Sequence, residues 1–184
     1  MNPGRGRTGA LAIALSLAAV LIGAAGCGED VKKDVVEGEP LELGDLKFNV
    51  QITRFLNPSD REDGAYLEGQ QVPPPAGQEY LGVFIEIDNE GSEVARLPTA
   101  ADLSVVDTTG QAYEALESDT HFALDLGGNI DAHSEVPAPD TPAASGPAQG
   151  SIVLFLVTSN IGENRPLELE ISRRGEDGTI ELDI

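Results

Sequence analysis

The chain has 184 residues, 40% of them hydrophobic, with 11 Lys+Arg against 32 Asp+Glu and a formal net charge of −21. That acid excess argues against a nucleic-acid binder, which needs a basic footprint to displace counterions from phosphate. One Cys makes neither an internal disulfide framework nor a Cys-rich zinc site, and the hydrophobic fraction is too high for a wholly disordered acidic chain, which leaves one compact domain plus appendages.

In chain order, Arg5 and Arg7 come first, and no acid appears before Glu29. From Ala10 to Ala25 the chain is apolar apart from Ser16 and Gly23. A basic start, an apolar run and small residues are the three parts of a secretory signal. The run is shorter than the ~20 residues of a spanning helix, the rival reading. Cys27 follows Ala24-Ala25-Gly26 and ends the run. Residues 1–26 and Cys27 together resemble a bacterial lipoprotein signal peptide, although Ala24 stands where that family usually has Leu. The resemblance implies that the Cys27 thiol is acylated and becomes the mature N-terminus, the lipidation site. Ordinary secretion with cleavage nearby is the alternative. Arg5-Gly6-Arg7 is not a twin-Arg pair, which favours the general secretory route. Losing 1–26 removes two cations and no acid, so the net charge deepens to −23. Such a body is repelled by anionic headgroups. The expected partner is therefore the membrane, reached through acyl chains on Cys27, on the extracytoplasmic face.

Residues 27–40 read as the acylated Cys and a flexible tether, closed by Pro40. Thirteen residues of flexible chain reach about 20 Å. A short helix at 29–37 is the competing reading. From Leu41 the apolar period is two, which predicts strands. Leu46, Phe48, Val50 and Ile52 alternate with polar residues, and Arg54-Phe55 breaks the parity as a bulge or strand end does. Leu81, Val83, Ile85 and Ile87 alternate next, with Phe84 on the other face. Leu103, Val105 and Val106 make a shorter run, turned by DTTG into Ala112, Tyr113 and Leu116. One helical turn near AYEALE or THFALDL competes there. SIVLFLV (151–157) is apolar on both faces, so it predicts a central, covered strand. Leu167, Leu169, Ile171 and then Ile180, Leu182, Ile184 alternate on either side of RRGEDG, which reads as a hairpin. About seven short strands over 41–184 predict an all-β antiparallel sandwich, with a closed barrel as the rival. The loops 57–79 and 131–149 are longer than ordinary connections, so they are functional, disordered or solvated spacers.

Three segments stand out together: EYLGVFIEIDNEGSE (79–93), LSVVDTTGQAYEAL (103–116) and GPAQGSIVLFLV (146–157). They resemble a bacterial extracellular domain-of-unknown-function family with the immunoprotective-antigen type of immunoglobulin-like fold. The resemblance implies an immunoglobulin-like β-sandwich over 41–184 and supplies no catalytic or ligand-binding residues. Asn89 and Gly91 suit positive φ after a strand, and Gly110 suits a hairpin turn. Gly150 lets the chain turn into a buried strand.

Chemistry-bearing residues are few. His121 in SDTHFAL and His133 in DAHSE lie in expected loops, and no Ser sits in a nucleophile-elbow pattern. Asp60, Glu62 and Asp63, and separately Asp125, Asn129 and Asp131, offer oxygen ligands suited to calcium, but neither group matches the twelve-residue calcium loop. No phosphate-binding glycine motif is present. The expectation is a non-enzyme without cofactor or metal: a lipid-anchored extracytoplasmic binding or interaction module. The alternatives are a structural envelope lipoprotein with no small ligand, and a calcium-binding surface domain. A protein partner is open, and nucleic acid is excluded.

Overall fold

The computed structural model describes residues 34–184. The leader over 1–26, Cys27 and the first part of the tether lie outside the described residues. The domain starts earlier than the sequence suggests. Residues 34–40 belong to it rather than to the tether, because β1 (Asp34–Val36) pairs in parallel with β12 (Glu176–Leu182) and buries Val35. A single apolar side chain in a three-residue strand leaves almost no periodic signal.

The two alternating segments form the longest pair. β3 (Leu46–Leu56) and β4 (Gln78–Asn89) run antiparallel, from Leu46 opposite Asn89 to Leu56 opposite Tyr80. The bulge falls between Val50 and Ile52, three residues before the expected break. Leu46, Phe48 and Val50 face the core, but Ile52 is turned outward and 40% exposed, contrary to its assignment to the buried face. One extra residue inverts the parity of everything after it. Phe55 now packs on the main core, while Arg54, Leu56 and their neighbours serve the opposite face.

β2 (Leu41–Leu43) flanks β3. β10 (Ser151–Thr158) flanks β4 from Ser151 opposite Ile85 to Thr158 opposite Gln78. Beyond that register β9 (Glu135–Val136) takes over the edge of β4. The other layer orders β1, β12, β11 (Leu167–Arg173), β6 (Leu103–Val106) and β7 (Ala112–Leu116). β7 joins the layers, pairing with β6 through 112–114 and with β10 through 115–116. Ala112–Leu116 is thus a strand, and the helical alternative there is set aside. The fold is a β-sandwich continuous along one corner. At the open side the Glu37 carboxylate ties the layers, accepting from the Thr53 amide at 3.1 Å and the Asp183 amide at 3.1 Å.

Two connections bear out their turn chemistry. Arg174 (φ 51) and Gly175 (φ 85) form the two-residue turn between β11 and β12. Two positive φ values match the right-handed twist of a hairpin. Gly150 (φ 108) lies so close to β4 that a Cβ would meet the Ile85 nitrogen at 2.8 Å.

The loops read as spacers are structured. Within 57–77, α1 (Arg61–Tyr66) buries Tyr66, and Leu67 follows it inside. Within 131–149, α2 (Pro142–Ser145) buries Ala143. Among the described residues no helix is long and apolar enough to cross a membrane.

Candidate functional site

The acidic loop residues answer to an arginine. The bulge in β3 points Arg54 outward, where its Nη1 meets Asp63 Oδ1 at 2.7 Å and its Nη2 meets Glu62 Oε1 at 3.1 Å. Its guanidinium lies 5.7 Å from the Tyr66 ring centroid and 5.6 Å from that of Phe84. Asp63 is 4% exposed and also accepts from the Asn57 amide at 2.8 Å. Asp60 caps α1, accepting from the amides of Glu62 and Asp63. The structure therefore gathers Glu62 and Asp63 around a protein cation, with Asp60 on backbone amides.

The second acidic group is not gathered. Asn129 lies in β8 (Asn129–Ile130), paired with β5 (Ala95–Arg96), and Asp131 offers only its backbone carbonyl, to Asn89. Asp125 is exposed in the preceding turn. Among the described residues no three His, Cys, Asp or Glu side chains are placed to hold a metal ion. His121 and His133 are exposed and make no hydrogen bond or ion pair among the described residues.

Asn89 has a role that its sequence reading missed. Neither it nor Gly91 adopts positive φ. Asn89 is 2% exposed, and its Nδ2 donates to the carbonyls of Glu93 (2.8 Å), Asp131 (3.0 Å) and Ile130 (3.2 Å). Its Oδ1 accepts from the Gly91 amide at 3.0 Å. One buried amide thus pins the segments on both sides of the strand end and satisfies backbone carbonyls there.

Two clefts of contrasting charge lie at this end, where β3 begins, β4 ends and β11 turns into β12, beside a smaller one of about 270 Å³ that shares Asp88 and Glu135. The first, about 670 Å³, is acidic and lined by Lys47, Asp88, Glu90, His133 and Glu135 among others. Lys47 bridges Asp88 at 2.8 Å and Glu90 at 2.7 Å, and these hydrogen bonds raise its pKa. Nearby Glu86 is pushed up by burial and then by the charges of Asp88 and Glu135.

The second cleft, about 390 Å³, has the opposite character. It is lined by Arg96, Thr99, Asp102, Ser172, Arg173 and Arg174, with Leu97 and Pro98 between them. Arg173 is buried, donating from Nη1 to the Leu43 carbonyl at 3.0 Å and pairing through Nη2 with Asp45. Burial opposes ionisation of Asp45, but the hydrogen bond from Arg173 and the charge of Arg174 outweigh it and hold the carboxyl below its ordinary range. Arg96 Nε donates to the Gly127 carbonyl at 3.2 Å. The hydroxyl and amide of Thr99 donate to Asp102 at 2.7 and 2.8 Å, which keeps that carboxyl low and the 99–102 turn rigid. Sequence reasoning missed this cleft because Arg96 lies more than 70 residues from the adjacent Arg173 and Arg174, and that pair reads as part of a hairpin turn.

No family model matches the chain, and no curated protein matches its sequence. Solved structures are similar in fold. MPT63, a secreted protein from Mycobacterium tuberculosis, aligns with a TM-score of 0.52 at 13% identity, covering 82% of this chain and 97% of its own. The yjhA protein from Bacillus subtilis aligns at 0.50 and 12% identity, covering 81% and 99%. A third, ycdA of Bacillus subtilis, provisionally described as a lipoprotein, aligns at 0.50 and 13% identity; it covers 80% of this chain and 38% of its own. At these identities the likeness is one of β-sandwich fold.

Proposed function

We propose that the protein is a lipid-anchored, extracytoplasmic binding module whose β-sandwich is held to a membrane by acyl chains on Cys27. The observation that carries this reading is the basic, apolar and small-residue leader ending at the chain's only Cys. The secreted and provisionally lipoprotein descriptions of MPT63 and ycdA support it by analogy of fold. So do the segments that resemble the immunoprotective-antigen type of immunoglobulin-like domain. An acyl anchor suits a body whose net charge after maturation is −23, because electrostatics alone would keep it away from anionic lipid. Six residues separate Cys27 from β1. It acts by binding rather than by catalysis, through the clefts at the loop end.

Fatty-acid labelling of growing cells, followed by fractionation, tests the anchor. Wild-type protein incorporates label and sediments with membranes. Cys27→Ala loses the label and leaves the membrane fraction. Equal labelling and equal sedimentation of the two proteins overturns the reading.

A further inference from the structure

We infer that the arginine-lined cleft between the 96–102 segment and the β11–β12 turn binds the oxyanion group, carboxylate or phosphate, of a small organic molecule. This extends the binding-module reading by giving the ligand a chemical class, and it does not depend on the acyl anchor.

Charge distribution is the first argument. The described residues contain seven Lys and Arg, and three of them, Arg96, Arg173 and Arg174, line one cleft. In a chain of net charge −21, convergence of cations is the unusual arrangement. Asp102 is the one acid among the described lining residues; the Thr99 hydroxyl and amide hold it in place, and its charge offsets one arginine, Arg96 being the cation that acts on it. Asp45, behind the wall, offsets one arginine through its pair with Arg173. The cleft keeps a positive surplus that internal pairing does not cancel.

Donor geometry is the second. The side chain of Arg173 is 6% exposed, and its Nε is buried with no hydrogen-bond acceptor. Its Nη1 and Nη2 are engaged by the Leu43 carbonyl and Asp45, so Arg173 contributes a fixed positive charge in the cleft wall, and the donors open to a ligand are those of Arg96 and Arg174. Arg96 uses only Nε internally, and the Ser172 hydroxyl is exposed at the rim. Arg96 is also well supported. It stands in β5, paired with β8, and the Leu97 and Gly127 amides clamp the following turns through the Gly128 carbonyl (2.9 Å) and the Pro98 carbonyl (2.7 Å). A guanidinium held on a rigid frame loses little freedom when it binds.

Backbone cost is the third. Arg174 sits at φ 51 in a turn position that favours Asn, Asp or Gly. Its side chain is 63% exposed, and among the described residues its ion pairing is one distant contact to Asp45 at 3.8 Å. No strong side-chain contact among the described residues repays that conformation. A ligand oxyanion gathered by planar, forked donors does.

The overall field sets the size of the ligand. A net charge of −21 repels a polyanion or an anionic membrane at long range, whereas a small, weakly charged molecule reaches a local positive cleft. A volume of about 390 Å³ admits such a molecule.

The full-length protein in detergent, titrated at constant ionic strength with inorganic phosphate and with succinate, tests the proposal by amide chemical shifts. Saturable shifts confined to 96–102 and 172–175 are expected, and the tighter probe identifies the headgroup. Arg96→Gln and Arg174→Gly each weaken binding by at least about tenfold. Glycine suits the positive φ at 174, so that variant removes the guanidinium without straining the turn. Arg61→Gln, on α1, leaves binding unchanged. Absence of saturation with both probes up to ~10 mM overturns the inference. So does an equal loss with Arg61→Gln, which would reveal a general charge effect. Because lipid labelling plays no part in this titration, failure of the anchor reading shows separately.

Discussion

The central strands carry two apolar clusters, one on each face, and the two are made in different ways. The inner cluster lies between the layers and is supplied by strand alternation: Phe48 and Val50 from β3, Leu81, Val83 and Ile85 from β4, Val153 and Phe155 from β10. The outer cluster is supplied by strands and by the loop that crosses them. Leu56, Tyr80, Phe84, Ile152 and Leu154 come from β3, β4 and β10, and Tyr66 and Leu67 come from the 57–77 connection. Tyr66 makes edge-on ring contacts with Phe84 at 5.2 Å and Phe122 at 4.9 Å. The contrast explains why SIVLFLV is apolar on both faces. An antiparallel strand tolerates this only when something covers its outer side, and here the cover is a loop.

If the inner cluster alone holds the layers together, Phe48→Ala has the largest effect. It removes a fully buried ring and lowers global stability by about 3–5 kcal/mol, read from the denaturant midpoint. Tyr66→Ala comes next, at about 2 kcal/mol, because a loop collapses around a void more easily than two sheets do. Its signature is local. Hydrogen exchange accelerates over 57–77 and on the outer face, while amides of β11 and β12 keep their protection. Uniform loss of protection in both variants would show that the clusters are a single cooperative unit.

Arg54→Met sharpens the contrast with a smaller expected loss, about 1–2 kcal/mol, because it removes the cation from two rings and leaves Asp63 buried without its partner. Exchange at 57–77 should rise again. An Arg54→Met/Asp63→Asn double variant recovers part of the loss, since the uncompensated carboxylate is gone.

The smallest effects concern pH, and they strike the two regions from opposite sides. Burial pushes the phenols of Tyr66 and Tyr80 up; at Tyr66 the charge of Glu62 adds to this and that of Arg54 opposes it. The folded chain then keeps protons that the unfolded chain loses above about pH 10, so stability falls as alkali rises past that value. The outer cluster should become protease-sensitive first, and the Tyr66→Phe/Tyr80→Phe double variant should flatten the alkaline limb. Asp107, at the end of β6, behaves the other way. The Thr109 hydroxyl, assisted by the amides of Thr109 and Gln111 and by Asn164, outweighs burial and holds its carboxyl low. Its contribution is present above the ordinary Asp value of about 3.9 and is lost as pH falls through the lower folded value. Thermal melts of Asp107→Asn should show a flatter acid limb than the wild type.

Legibility in the sequence followed the range of the interactions involved. Period-two alternation in 46–50, 81–87, 167–171 and 180–182 located the main strands, because each residue there reports its own face. The Arg174-Gly175 turn and Gly150 were legible for the same local reason. β1 was not, since one buried Val in a charged stretch gains its meaning from β12, some 140 residues away. Asn89 was noticed for the wrong reason: its side-chain hydrogen bonds reach carbonyls as far as 42 residues on. The arginine cleft left no trace at all, because residues 96, 99, 102 and 172–174 meet only when β6 and β11 pair.

By itself, then, the sequence determined the acidity of the body, the leader-like start ending at Cys27, and an all-β chain with one strand apolar on both faces. These are properties of composition and of short periods. The tertiary structure decided where the bulge inverts β3, that the 57–77 loop is a cover rather than a spacer, and that three arginines share a cleft in an acidic protein. Each depends on register between distant strands, where a shift of one residue exchanges the inner face for the outer.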